Sequence, residues 1–233
     1  MAYLLYDGPS MLDGKPIVAV ATGVEKPSQN RKTGPLIQTY IIRKDIDPVQ
    51  AVLTGEDYSI CGTCPLRGDG SGKKRACYVV YANDPLAVYN SRDKWKVPDY
   101  DIFRGRGTRL GAYGDPAALP TEVVADIVRR SRTAKGYTHQ WRYCDQELRK
   151  YMMASCDSAE DVELARQKGW STLRVRAEGQ EKLKGEIQCP YEISSQRVLC
   201  SACNKCTGNK SKDVVVTVHG TGKKHFPLRQ EAA

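Results

Sequence analysis

The chain of 233 residues is poor in several things that common folds and activities need. It has no apolar run near the roughly 20 residues of a membrane-spanning helix, which excludes an integral helical membrane protein. Its start, MAYLLYDGPS, carries neither a basic segment nor a long apolar one, so the expectation is an unsecreted, cytoplasmic chain without a membrane partner. There are only 3 histidines and no HExxH, which removes the helical zinc-protease pattern. GxSxG is missing, and with it the nucleophile elbow of serine hydrolases. Neither GxGxxG nor GxxxxGK[ST] occurs, so neither glycine-rich phosphate loop is present.

Two things are abundant. The first is positive charge: 36 Lys and Arg stand against 27 Asp and Glu, a net charge of +9. The basic residues are spread in local clusters, Lys73-Lys74-Arg75, Arg104/Arg106/Arg109, Arg129-Arg130/Arg132 and Lys223-Lys224. Such a surface favours a polyanionic partner, DNA or RNA. The segment 90–106 interleaves Trp95, Tyr100 and Phe103 with basic residues. Aromatics among cations can stack on bases, or they can simply pack down on the core.

The second is cysteine, with 9 residues. In a reducing compartment close cysteine pairs read as metal or redox sites before disulfides. Cys189, Cys200, Cys203 and Cys206 form C-x10-C-x2-C-x2-C. A C-x2-C turn brings two thiolates onto one ion, and four thiolates suit tetrahedral zinc. His219, in a VVVTVHG strand after this knuckle, is the alternative fourth ligand. Cys61, Cys64 and Cys77 form C-x2-C-x12-C, a group of three. Zinc there needs a distant fourth ligand, whereas an iron–sulfur cluster is the competing occupant. Cys144 and Cys156 stand alone and read as small buried hydrophobes.

Short apolar runs alternate with polar or helical stretches. The strand candidates are residues 16–22, 38–43, 77–82, 108–113, 136–141, 151–155, 171–175 and 185–188. Two helices read clearly. Residues 121–131 place Val123, Val124, Ile127 and Val128 on one face with arginines at the end. Residues 158–168 open with Ser158 and Asp161 in a capping-box-like pair and stop at Gly169. Repeated βα units predict an α/β fold, a compact (β/α)8-like barrel with a C-terminal cysteine metal knuckle. An open doubly wound α/β sheet is the alternative. The expected division is a barrel-like catalytic domain over 1–188, with a cysteine-containing insertion around 61–77, and a metal-binding knuckle and final strand over 189–233.

In such folds reactive groups gather at the carboxyl ends of strands. Asp115, His139, Gln140, Asp157 and Arg174 stand at or near strand ends. Two carboxylates sharing a pocket divide labour as nucleophile and acid or base, which makes Asp115 and Asp157 the catalytic candidates. Their structural alternatives are a Gly-Asp-Pro turn for Asp115 and a helix cap for Asp157.

The stretch Gly111-Ala-Tyr-Gly-Asp-Pro116, the segment Met153-Ala-Ser-Cys-Asp-Ser-Ala-Glu-Asp161, and Cys200/Cys203/Cys206 with His219 together carry a resemblance. From about Thr108 to His219 the chain is similar to the queuine tRNA-ribosyltransferase superfamily, particularly to bacteriophage and bacterial relatives that insert 7-deazaguanine bases into DNA. That family's zinc spacing is CxCxxC, whereas here it is CxxCxxC. The resemblance implies a glycosyltransferase exchanging guanine for a 7-deazaguanine base. One aspartate attacks the sugar and a second acidic group manages the base's proton. Gly111, Gly114, His139, Gln140 and Arg174 would then bind substrate, and reaching the base in DNA would require flipping it out.

Two other classes stand beside this one. An iron–sulfur or radical-type enzyme on a nucleotide or nucleic acid would use Cys61, Cys64 and Cys77, although the CxxxCxxC loop of radical S-adenosylmethionine enzymes is absent. A zinc-dependent nucleic-acid-binding protein would need no catalysis.

Overall fold

The computed structural model describes residues 1–97, 100–208 and 212–226. The end of the segment assigned to the knuckle, from 227, lies outside the described residues, as do 98–99 and 209–211. Ten strands form two five-stranded sheets. The first has the order β1-β2-β3-β4-β5, from Tyr3–Pro9, Pro16–Thr22, Ile37–Arg43, Gly107–Tyr113 and Thr133–Lys135. The second has the order β6-β7-β8-β10-β9, from Tyr137–Thr138, Met153–Cys156, Thr172–Arg176, Val214–Thr217 and Ile187–Gln188. β1, β2 and β3 pair antiparallel, with a register shift in β1 between Leu4 and Tyr6. From β3 onward every pairing is parallel.

The sheets are joined through one strand. β5 and β6 are separated only by Gly136, the first pairing with β4 and the second with β7. Gly136 still belongs to the ladder, since its carbonyl accepts from Met153 N at 3.0 Å. A Cβ at Gly136 would lie 2.8 Å from Leu110 Cβ, so glycine is what lets Leu110 pack this close to the strand. The result, among the described residues, is an array that is antiparallel from β1 to β3 and parallel beyond, with β1 and β9 as its edges.

The α/β class holds, but the closed barrel does not: among the described residues the edge strands β1 and β9 do not pair. Among the described residues the helices are too few and short to wrap one. They are α1 (Pro48–Leu53), α2 (Tyr58–Cys61), α3 (Asp84–Asn90), α4 (Thr121–Arg130), α5 (Ala159–Gln167) and α6 (Pro190–Ile193). Residues 77–82 form no strand, and β1 was not expected. β10 inserts between β8 and β9, so the C-terminal segment is woven into the second sheet.

The core follows from the pattern of side chains. β2 and β3 are buried along nearly their whole length, as expected for continuous apolar runs such as IVAVA. α4 buries Val124 and Ile127, and α5 buries Val162 and Ala165, all in the main core. α5 starts at Ser158, whose Oγ accepts from Asp161 N at 3.1 Å, and stops at Gly169 with φ +78. Among the described residues no helix is long and apolar enough to cross a membrane.

Candidate functional site

A cavity of about 490 Å³ runs along one face of the parallel strands. Alternate residues point into it: Gln38 and Tyr40 from β3, Arg109 and Gly111 from β4, Lys135 and Tyr137 on the shared strand, Leu173 and Val175 from β8. Seven of the nine cysteines line this same cavity: Cys61, Cys64 and Cys77, and Cys189, Cys200, Cys203 and Cys206. Cys144 and Cys156 do not, and Cys156 is fully buried in the core.

The groups sit at opposite ends of the shared strand. His139, just beyond its carboxyl end, stands beside Cys64. Lys135, in its first half, contacts Asn204 Oδ1 at 3.5 Å, inside the turn between Cys203 and Cys206. His139 lies four residue steps beyond Lys135, roughly 13 Å along the cavity wall for an extended chain.

The first group lies in the long excursion between β3 and β4, with Cys61 at the end of α2, and Gln140 and Asp115, read from the sequence as substrate-binding and catalytic, hold the start of that stretch. Gln140 Nε2 donates to Cys61 O at 3.0 Å, and its Oε1 accepts from Thr63 N and Oγ1. Asp115 N donates to Ile60 O at 2.6 Å. Asp115 Oδ1 accepts from Ala117 N and Oδ2 from His139 N, each at 2.9 Å. Burial raises its carboxyl, against the pull of those amides. Trp141 is fully buried and donates its indole N–H to Ser155 O at 3.0 Å, which pins this stretch to β7.

Behind the first group lies a buried ion pair. Asp57 is 1% exposed and pairs with Arg67 and with Arg75, the latter at 2.8 Å. Arg75 in turn faces Cys77 and Cys61. Burial pushes both thiols up, and Arg75 counters it. For His139, burial disfavours the charge, but Cys64 and Asp157 raise the imidazole well above its ordinary value. His139 Nε2 lies 3.3 Å from Asp157 Oδ2.

In the second group Cys189 packs in a small cluster with Val214, Val216 and Cys206. Burial pushes the Cys206 thiol up to about 12. His219 also lines the cavity, but its Nε2 meets Lys32 Nζ at 3.3 Å and its ring lies tilted against Tyr78 at 5.1 Å, whereas Cys189 acts directly on the Cys200 and Cys206 thiols. Cys189 therefore sits better than His219 as fourth member. Among the described residues no three His, Cys, Asp or Glu side chains already converge closely enough to enclose an ion.

The catalytic and binding candidates are only partly brought together. Gly111, Gly114, Asp115 and His139 line the cavity; Gln140, Asp157 and Arg174 do not. Arg174 is bound bidentately to buried Glu186, with both contacts at 2.7 Å. The aromatics of 90–106 pack inward: Phe103 is fully buried, and Tyr100 donates its hydroxyl to Leu5 O. Arg109, Lys135 and Asp57 were not singled out as site residues. For the first two the available signal was a charge at the inward position of an apolar strand.

Comparison of the chain with protein-family models, with curated proteins and with solved structures found no match in any of the three.

Proposed function

We propose that the protein is a thiolate-ligated metal enzyme of the iron–sulfur class, acting on a nucleotide or nucleic acid whose reacting part enters the cavity. The observation that carries this reading is that seven cysteines line one cavity along the parallel strands. Cys61, Cys64 and Cys77 would hold one centre, and Cys189, Cys200, Cys203 and Cys206 the other. Three protein thiolates leave a coordination position for a non-protein ligand, as a catalytic centre needs. Four thiolates close a site, which suits zinc or a second cluster. The buried thiols carry raised proton affinities, so a metal would have to displace their protons on binding. When bound, such a centre supplies electron transfer or Lewis acidity. The chain's own part is to position Cys61 and Cys64 through Gln140 and Asp115, and to place Arg75 beside the thiolates. The net charge of +9 supports a polyanionic substrate.

Base exchange into DNA stands second. It needs two carboxylates in the cavity. Asp115 is there, but both its oxygens accept backbone amides, and Asp157 is off the wall. A non-catalytic zinc protein stands third.

Protein prepared without oxygen separates these readings. Iron and acid-labile sulfide with visible absorbance are expected, reduced in Cys64→Ser. Zinc as the only metal sinks the iron–sulfur reading. A 7-deazaguanine nucleoside in the DNA of producing cells, lost in Asp115→Ala, would put base exchange first.

A further inference from the structure

Two buried cations on the cavity wall have no carboxylate to answer them among the described residues. Arg109 is 5% exposed and Lys135 is 3% exposed, in strands otherwise filled by neutral residues. The Arg109 guanidinium lies 3.9 Å over the Tyr137 ring and is hydrogen-bonded with Tyr78, while its Nη1 has no hydrogen-bond partner among the described residues. Among the described residues Lys135 Nζ reaches Thr133 Oγ1 at 3.3 Å and Asn204 Oδ1 at 3.5 Å. Around Arg109 stand Tyr137, Tyr78 and Cys200, and around Lys135 stand Cys203, Cys206 and Cys200. Burying a cation without a counter-charge costs several kcal/mol, on the order expected for desolvated ions. The fold therefore calls for two negative charges beside this strand.

A divalent ion held by four thiolates supplies that charge, since four negative ligands on a doubly positive ion leave a dianion. We propose that Arg109 and Lys135 are the counter-ions of a dianionic tetrathiolate centre held by Cys189, Cys200, Cys203 and Cys206. They are positioning residues: they touch neither substrate nor metal, and they hold the charge of the ligand shell. Lys135 does so through the knuckle itself, because its partner Asn204 lies between Cys203 and Cys206. The inference rests on the metal reading above and adds the charge of one centre and the residues that balance it. It also separates the centres, since the first has a cation of its own in Arg75, already paired with Asp57.

The test uses the metal-loaded full chain and measures metal retained per chain under a chelator, resolved by centre in Cys64→Ser and Cys203→Ser backgrounds. Lys135→Gln and Arg109→Gln should each weaken retention at the second centre by roughly 10- to 100-fold, the usual effect of losing an outer partner. Retention at the first centre should hold, and Lys135→Arg should restore the second. Loss from both centres together, or from neither, overturns the proposal. So does binding of inorganic phosphate that disappears in both Gln variants while metal retention stays, because the cations would then serve a ligand anion. A wild-type chain that takes no metal would instead remove the metal reading itself.

Discussion

Gly62 and Gln140 show how closely the first cysteine loop is fitted. Gly62 has φ +52, and a Cβ there would come within 2.5 Å of Gln140 Oε1. Gly62→Ala should cost about 1–3 kcal/mol from backbone strain and displace Gln140 from Cys61 and Thr63. Urea unfolding would measure the first effect, and metal content at the first centre the second. Asp57→Asn should be harsher, about 3–5 kcal/mol by the same measurement, because Arg67 and Arg75 lose their buried partner. His219 carries a pH dependence. Burial and the Lys32 ammonium push it from 6.5 down to about 4. As pH falls below 6.5 the unfolded chain takes up this proton first, so stability declines toward pH 4. Thermal unfolding across that interval should show a shallower decline in His219→Gln; an unchanged slope would sink the assignment.

At the scale of elements, local chemistry was legible wherever it was self-contained. The helix at 121–130 announced itself by its apolar face, and the next by Ser158 and Gly169. β2 and β4 appear where continuous apolar or alternating runs stood. Residues 77–82 read as a strand because CYVVYA is β-prone, yet no neighbour pairs with it, and its residues border the cavity instead. β1 was missed because YLLYDGP gains its order from non-local partners, β2 on one side and Lys96 on the other. Barrel closure was beyond local reading, because it depends on which edges meet. Gly136 is the single residue between β5 of one sheet and β6 of the other. Gly136→Val should destabilise by about 1–3 kcal/mol through overpacking against Leu110, measured by urea unfolding.

For the whole molecule, the cysteine spacings foretold two groups but not that they face each other across one space. That fact depends on β10 slotting between β8 and β9 and on the long excursion between β3 and β4, both non-local. The carboxylates show the opposite limit. Asp115 was correctly placed at a strand end, but its neighbours turn it into a support for the adjoining loop. If metal binds only the folded chain, saturation at 100 times the dissociation constant should add about 2.7 kcal/mol per independent centre. Cys64→Ser and Cys203→Ser should each forfeit one share, read as a smaller rise in unfolding temperature on loading.

An array left open has two raw borders, and such borders recruit other chains into aggregates. β9 offers only Ile187 and Gln188. β1 is interrupted between Leu4 and Tyr6, ends on Pro9, and is flanked by Lys96 bridged to Tyr3. Neither border presents a long flat template. The opening that leaves room for a ligand along the strands is thus kept from becoming a site of self-association, and lengthening β9 or straightening β1 would be the way to make this protein polymerise.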